Sequence, residues 1–349
     1  MIQYSIEKTK QPVQRSVEMI QDVIMLILSL AFILISCIFF TNSVEWLGKK
    51  LNLNQGVVGS ILAAVGTALP ETIIPIIAII FYSGKEASQI ATGAILGAPF
   101  MLSTLGFLMT GVAVILYSSA NKRSIKMNAD PNVFRRDLAY FILIYTLAIF
   151  TSVFNQFNEV RLASVVLLLT LYLLYVRATF NSEGKIEQNV EELLFSRIFS
   201  LPPTLSWIII QLFISLSGII FSSHLFVGYV KDLSHLMGVS PLILSLVITP
   251  IATELPEKFN SIVWVGQKKD TLALGNITGA MVFQSSIPVI IGILLTPWNI
   301  TGIAFLSATL ALTSATLNLI WINMKKSVNP FILMSGGILY GIFLLTAIH

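Results

Sequence analysis

The sequence predicts an all-α integral membrane protein of ten transmembrane helices, arranged as two inverted five-helix repeats with broken helices at spans 2 and 7. Three observations carry this reading. The 349 residues are 55% hydrophobic and only 11% charged, against about 25% charged in a soluble domain. Ten apolar segments reach the roughly 20 residues needed to cross a bilayer. A short motif built on Leu-Pro-Glu occurs twice, five spans apart, as Gly66-Thr67-Ala68-Leu69-Pro70-Glu71 and as Ala252-Thr253-Glu254-Leu255-Pro256-Glu257.

In chain order, residues 1–19 are polar and read as a short tail. The apolar run that follows is too long for the core of a cleaved signal and lacks a small-residue cleavage site, so it reads as span 1. The ten spans fall at 20–42, 56–82, 90–117, 136–155, 160–178, 204–229, 239–265, 272–297, 301–322 and 329–348. The polar, basic stretch 118–135 and the stretch 179–203 are the longer connections. Within the second, Asn189-Val190-Glu191-Glu192-Leu193-Leu194-Phe195 reads as a short amphipathic helix on the membrane surface. No loop could house a folded soluble domain. The domain reading is therefore a first five-span repeat over 1–178, a loop over 179–203 and a second five-span repeat over 204–349. The single cysteine, Cys37, excludes a disulfide framework within the chain.

Charge sets orientation rather than partner choice, and the net charge of +4 implies no nucleic acid. Of the 21 Lys and Arg, six (Lys8, Lys10, Arg15, Lys85, Arg161 and Lys231) fall on the side of the termini. Lys258 falls inside a span and the remaining 14 fall on the opposite side. The richer side is expected to be cytoplasmic. The protein is then multi-pass in the cell membrane, with both termini outside and the 179–203 loop inside.

A carboxylate at the centre of a span costs about 2.5–3.5 kcal/mol on insertion scales, so an ionisable residue there reads as functional by default. The proline before each Glu has no N–H and frees a backbone carbonyl one turn back. Such carbonyls are tolerated at membrane depth only where they line a cavity. Aligning the motifs also aligns Gly93-Ala94-Ile95-Leu96-Gly97-Ala98 with Gly275-Asn276-Ile277-Thr278-Gly279-Ala280. Glycines four apart permit close helix approach. Copies separated by an odd number of spans enter the membrane in opposite directions, and inverted repeats bind at mid-membrane between broken helices, with alternating access. Glu71 and Glu257, with Thr67, Thr253 and freed carbonyls, offer only hard oxygen ligands. Calcium accepts 6–8 oxygens in irregular geometry, whereas magnesium demands a stricter octahedron. Zinc or copper would draw on His or Cys, and His224, His235 and His349 lie near span ends.

At these residues the chain resembles the cation/calcium exchanger superfamily, of the sodium/calcium exchanger type. That family pairs Gly-Thr-Ser-Leu-Pro-Glu with Gly-Asn-x-x-Gly-Ser-Asn in two inverted repeats. The likeness covers 57–106 and 243–292. It implies a secondary antiporter exchanging Ca²⁺ for Na⁺ (or H⁺), with Ca²⁺ on Glu71 and Glu257 and oxygens from Thr67 and Thr253. The chain departs from the pattern at Ala68 and Glu254, at Ala98 and Ala280, at Pro99 and Met281, and at Leu102 and Gln284. Most hydroxyls that the family uses for Na⁺ are thus missing, and proton coupling stays open because burial favours the protonated carboxyl.

Glu254 and Lys258 are four apart on one helix, Glu first, the favourable order for a pair. Their repeat counterparts are Ala68 and Thr72. Either Lys258 neutralises a third carboxylate, or its ammonium takes the place of one Na⁺. Asn276 and Gln284 share a helix face and read as accessory ligands or as interhelical glue. The threonine hydroxyls have a plain alternative in bonding back to their own helix. Ser103, Asn260, Ser261, Ser285 and Ser286 read as packing, Pro75 and Pro99 as kinks, and Glu86 and Asp270 as ordinary surface charges in loops. No cofactor is implied, and the partners are inorganic cations and the lipid bilayer, with the monomer as the functional unit. A proton-coupled or other divalent-cation exchanger of the same fold is the alternative. An intramembrane enzyme would need a nucleophile or metal ligand set near the motifs, and a channel would more naturally use charge rings in an oligomer.

Overall fold

A computed structural model describes residues 2–50, 69–82, 84–182, 192–200 and 202–348. Every regular element among them is helical. In order these are α1 (Ile2–Lys50), α2 (Leu69–Phe81), α3 (Lys85–Met101), a π-helical turn (Leu102–Gly106), α4 (Phe107–Ser119), α5 (Pro131–Val153), α6 (Asn158–Ser182) and α7 (Leu194–Phe199). The chain continues with α8 (Leu205–Met237), α9 (Pro241–Thr253), α10 (Leu255–Gly266), α11 (Asp270–Gln284), α12 (Ile287–Leu295), α13 (Gly302–Lys325) and α14 (Pro330–Ile348). Eight helical stretches among the described residues are long and apolar enough to cross a membrane. The two other predicted spans fall on α2 and on α9 with α10.

The chain forms two compact units, one of Met1–Ile90 with Gln188–Leu244 and one of Ala91–Glu187 with Ser245–His349. Each draws on both halves of the sequence.

In the first unit α1 packs along α8, and both contact α2. The close approach of α1 and α8 rests on Gly218, where a Cβ would stand 2.6 Å from the Ser36 hydroxyl. Fully buried Gln211 ties three helices together. Its amide donates to the Phe39 carbonyl at 2.9 Å and to Asn42 Oδ1 at 3.0 Å, and its Oε1 accepts the Phe195 N–H at 2.8 Å. Asn42 Oδ1 also takes the Leu194 N–H at 2.9 Å. Two orphan donors at the start of α7 are thereby satisfied. Gly238 ends α8 in the left-handed conformation, φ 66°, as helix C-termini favour.

The second unit packs α5 against α6, α11 and α13, and α14 against α4 and α13. The π-helical turn gives its backbone to neighbours: the Ser314 hydroxyl donates to the Ser103 carbonyl. A Cβ on Gly336 would meet the Thr104 carbonyl oxygen at 2.6 Å. Arg161 donates to the Ile293 and Thr296 carbonyls and so covers the end of α12. Buried Trp298 donates its indole N–H to the Ala148 carbonyl at 3.0 Å.

Several predicted boundaries are corrected. The polar stretch read as a tail is helical from Ile2 onward. Its Glu, Lys and Gln residues are good helix formers, and loss of apolar character marks where a helix leaves the bilayer rather than where it ends. Predicted span 8 is two helices. Pro288 has no N–H for the Gln284 carbonyl, and the Ser285 and Ser286 hydroxyls turn back onto the Val282 carbonyl at 3.0 and 2.9 Å. Predicted span 3 contains the π turn. The surface helix begins at Leu194 and runs to Phe199, with Glu192 and Leu193 before it; Asn189, Val190 and Glu191 lie outside the described residues. So do Gly66, Thr67, Ala68 and His349.

Candidate functional site

The second Pro-Glu motif lies where α9 gives way to α10, inside the second unit. Glu254 is the turn residue between them, with φ −97° and ψ 10°. Pro256 sits in the first turn of α10, where a missing N–H costs nothing because that donor has no intrahelical partner. The predicted break in span 7 is therefore observed, and its sequence cause is the Glu254-Leu255-Pro256 step. Glu257 follows in the first turn, where the helix dipole favours a negative charge. The Glu257 side chain is buried, and its Oε2 has no hydrogen-bond partner among the described residues.

Four further residues gather there. Lys258, 3% exposed, places its Nζ 3.8 Å from Glu254 Oε2 and 3.3 Å from the Pro250 carbonyl oxygen. Glu254 is fully buried. Thr253 is buried too, and its hydroxyl donates to the Thr249 carbonyl at 3.1 Å, the back-bonded alternative. Asn276 donates from Nδ2 to the Glu257 carbonyl at 2.9 Å and to Ser261 Oγ at 3.2 Å. Ser261 in turn donates to the Ala273 carbonyl at 2.9 Å. Asn276 thus pins α11 to the first turns of α10. Gln284 is buried at the far end of α11, eight residues on.

Glu71 belongs to the first unit. It is the third described residue of α2 and is 2% exposed. The first copy of the motif therefore also buries its carboxylate beside a proline, Pro70, and α2 carries a second proline, Pro75, within its length.

The glycine pairs differ. A Cβ on Gly97 would collide with the Leu246 carbonyl oxygen and stand 2.6 Å from Pro250 Cγ. Pro250 has no N–H to offer Leu246, so α3 approaches α9 closely at a carbonyl that its own helix leaves open. Among the described residues Gly275 meets nothing within 4 Å, and Gly279 meets the Tyr175 hydroxyl at 3.4 Å, an ordinary contact.

Sequence reasoning missed three features here. Ser245, Thr249 and Thr253 form a buried stripe four residues apart that leads to Glu254, with the first two hydroxyls 3.2 Å apart; their spacing was the available signal. Asp137 is buried at α5, accepting from the Thr278 hydroxyl at 2.7 Å and from Arg136 at 2.9 Å. Asp270, read as a surface charge, is 1% exposed. It heads α11 and pairs both carboxylate oxygens with Arg123 at 2.6 and 2.7 Å. It also accepts the Asn128 N–H at 2.7 Å. A basic loop folds over this helix end and removes it from solvent, which no local sequence pattern announces. Glu86 by contrast is a partly exposed surface charge near Lys231 and His235.

Buried carboxylates beside prolines, in a chain with several membrane-crossing helices, mark a membrane transport protein. The family model for the sodium/calcium exchanger protein matches residues 22–181 and 207–349. The chain belongs to that family and is a transporter, not an enzyme. A relative from Methanocaldococcus jannaschii, described as the uncharacterized membrane protein MJ0091, is 25% identical over 264 residues, spanning 73% of this chain and 78% of the relative. The crystal structure of an H⁺/Ca²⁺ exchanger, CAX, superposes with a TM-score of 0.70 at 16% identity, covering 93% of this chain and 82% of its own. The sodium-calcium exchanger NCX_Mj superposes with a TM-score of 0.56 at 19% identity, covering 94% and 99%. These two establish a shared fold.

Proposed function

We propose that the protein is a secondary active cation antiporter that moves Ca²⁺ in exchange for Na⁺ or H⁺. The observation that carries this reading is the duplicated Leu-Pro-Glu, with both Glu71 and Glu257 buried one residue after a proline. Glu71 and Glu257 supply the negative charge for a divalent ion, and Thr67 and Thr253 add oxygens. The Thr253 hydroxyl gives its proton to the Thr249 carbonyl and keeps its lone pairs for a cation. Glu254 and Lys258 balance each other, and Asn276 fixes the backbone of Glu257. Gln284 is an accessory position.

The family membership and the exchangers with the same fold support calcium as cargo. The spans in α2 and in α9 with α10 would bring the total to ten, in inverted repeats over 1–178 and 204–349 joined by 179–203. The excess of Lys and Arg on one side supports a cell-membrane protein with both termini outside and the 179–203 loop in the cytoplasm. The monomer contains both motifs and is the proposed working unit. Missing hydroxyls at the positions that resemble the family's Na⁺ ligands favour testing H⁺ beside Na⁺. The experiment is ⁴⁵Ca²⁺ uptake into proteoliposomes under outward Na⁺, K⁺ or H⁺ gradients. Uptake against a Ca²⁺ gradient with one of these is expected; no gradient-driven uptake with any of them overturns the reading.

A further inference from the structure

Lys258 is a buried ammonium in the break between α9 and α10, a place where a fixed positive charge is expensive unless it is paired. Two hard oxygens lie close to it: the Pro250 carbonyl at 3.3 Å and the Glu254 carboxylate at 3.8 Å. One is a backbone carbonyl next to a helix interruption and the other a carboxylate with both oxygens buried. Carbonyl and carboxylate oxygens are also what an alkali cation accepts on losing its water. The first copy of the motif has no such arrangement, because Ala68 and Thr72 stand at the corresponding positions. The charge pair is therefore peculiar to one half of the molecule, and it lies one residue from Glu257.

We propose that the Lys258 ammonium permanently occupies a monovalent-cation position formed by the Pro250 carbonyl and the Glu254 carboxylate, so that one fewer coupling cation binds and moves in each transport cycle. This rests on the exchange reading above and deepens it, by making Lys258 a determinant of stoichiometry. A tethered cation cannot leave with the transported ions. It keeps Glu254 neutralised through the whole cycle, and it leaves the charge of Glu257 for the cargo.

The test replaces Lys258 with methionine, an unbranched side chain one atom shorter that carries no charge. Purified Lys258→Met, Glu254→Gln/Lys258→Met and unaltered protein are melted in detergent across a hundredfold range of NaCl, with N-methyl-D-glucamine chloride holding ionic strength constant, and again with LiCl and KCl. Lys258→Met is expected to gain a cation-dependent rise in Tm of roughly 2–5 °C over that range, through one further ion bound to the folded state. The double variant, lacking the carboxylate, is expected to show no such gain. In proteoliposomes the Hill coefficient for the coupling cation should rise by about one in Lys258→Met. An unchanged cation dependence of both Tm and flux in Lys258→Met overturns the proposal. So does a Lys258→Met protein that stays unfolded in all three salts, because a free cation then fails to replace the ammonium. If instead the unaltered protein drives no Ca²⁺ uptake under any gradient while the melting result holds, the exchange reading fails and the cation position stands.

Discussion

Arg123 holds Asp270 with two guanidinium nitrogens, at 2.6 and 2.7 Å, and its Nη1 also donates to the Val265 carbonyl at 2.8 Å. One side chain of the basic loop thus grips the last turn of α10 and the first turn of α11. These are the two helices that carry Glu257 and Asn276.

Removing one partner of this ion pair leaves the other charge buried and uncompensated. Arg123→Ala or Asp270→Ala should each destabilise the protein by about 3–5 kcal/mol. Arg123→Met combined with Asp270→Leu should recover much of the loss, since an apolar pair needs no compensation. Thermal unfolding in detergent of the single and double variants checks this. Equal losses in singles and double would mean that packing of the loop, not charge, is what matters.

Two glycines from the two repeated Gly-x-x-x-Gly motifs, the second of one pair and the first of the other, should respond oppositely to alanine. Gly97→Ala forces a methyl into the Leu246 carbonyl and Pro250, an overpacking cost of about 1–3 kcal/mol. Gly275→Ala meets nothing within 4 Å among the described residues and should be neutral or gain up to about 1 kcal/mol from helix propensity. A side-by-side comparison of Tm decides.

Asn276→Ala deletes the donor to the Glu257 carbonyl and to Ser261. The expected loss is about 1–3 kcal/mol, together with a raised Ca²⁺ concentration for half-maximal uptake, because the turn that bears Glu257 loses its tie to α11. A stability loss with unchanged Ca²⁺ dependence would reduce Asn276 to glue alone.

Glu71→Gln and Glu257→Gln keep size and remove charge. Each should cut ⁴⁵Ca²⁺ uptake by about tenfold or more, given the strength of charge-assisted contacts. Folding should be preserved or improved, since an amide costs less to bury than a carboxylate. Undiminished uptake in the double variant would remove both residues from the transport site.

Much of this was legible in the sequence because membranes impose simple rules. Among the described residues the apolar segments fall on helices, and the Glu254-Leu255-Pro256 step coincides with the break in span 7. The i, i+4 spacing of Glu254 and Lys258 sufficed to pair them. What stayed hidden depends on contacts between distant segments. The burial of Asp270 comes from a loop about 140 residues away in sequence. The break at Ser285 and Ser286 needs two hydroxyls and Pro288 acting together. Among the described residues Gly275 and Gly97 have unlike neighbours, which depends on the helix lying opposite, and a shared Gly-x-x-x-Gly spacing cannot tell the two apart.

The π-helical turn at Leu102–Gly106 has a consequence for insertions and deletions. A helix advances about 100° per residue, and such a turn amounts to one residue more than the regular spiral needs. Excising a single residue there would restore the ordinary winding and leave α4 facing nearly as it does now, with Gly111 still resting its bare Cα against the Pro330 carbonyl. Excising one residue from the regular helix between the turn and Gly111 would instead rotate Gly111 by about 100° and bring a bulkier neighbour against α14. The π turn is therefore the place along this stretch where the chain can shed one residue and keep its seam.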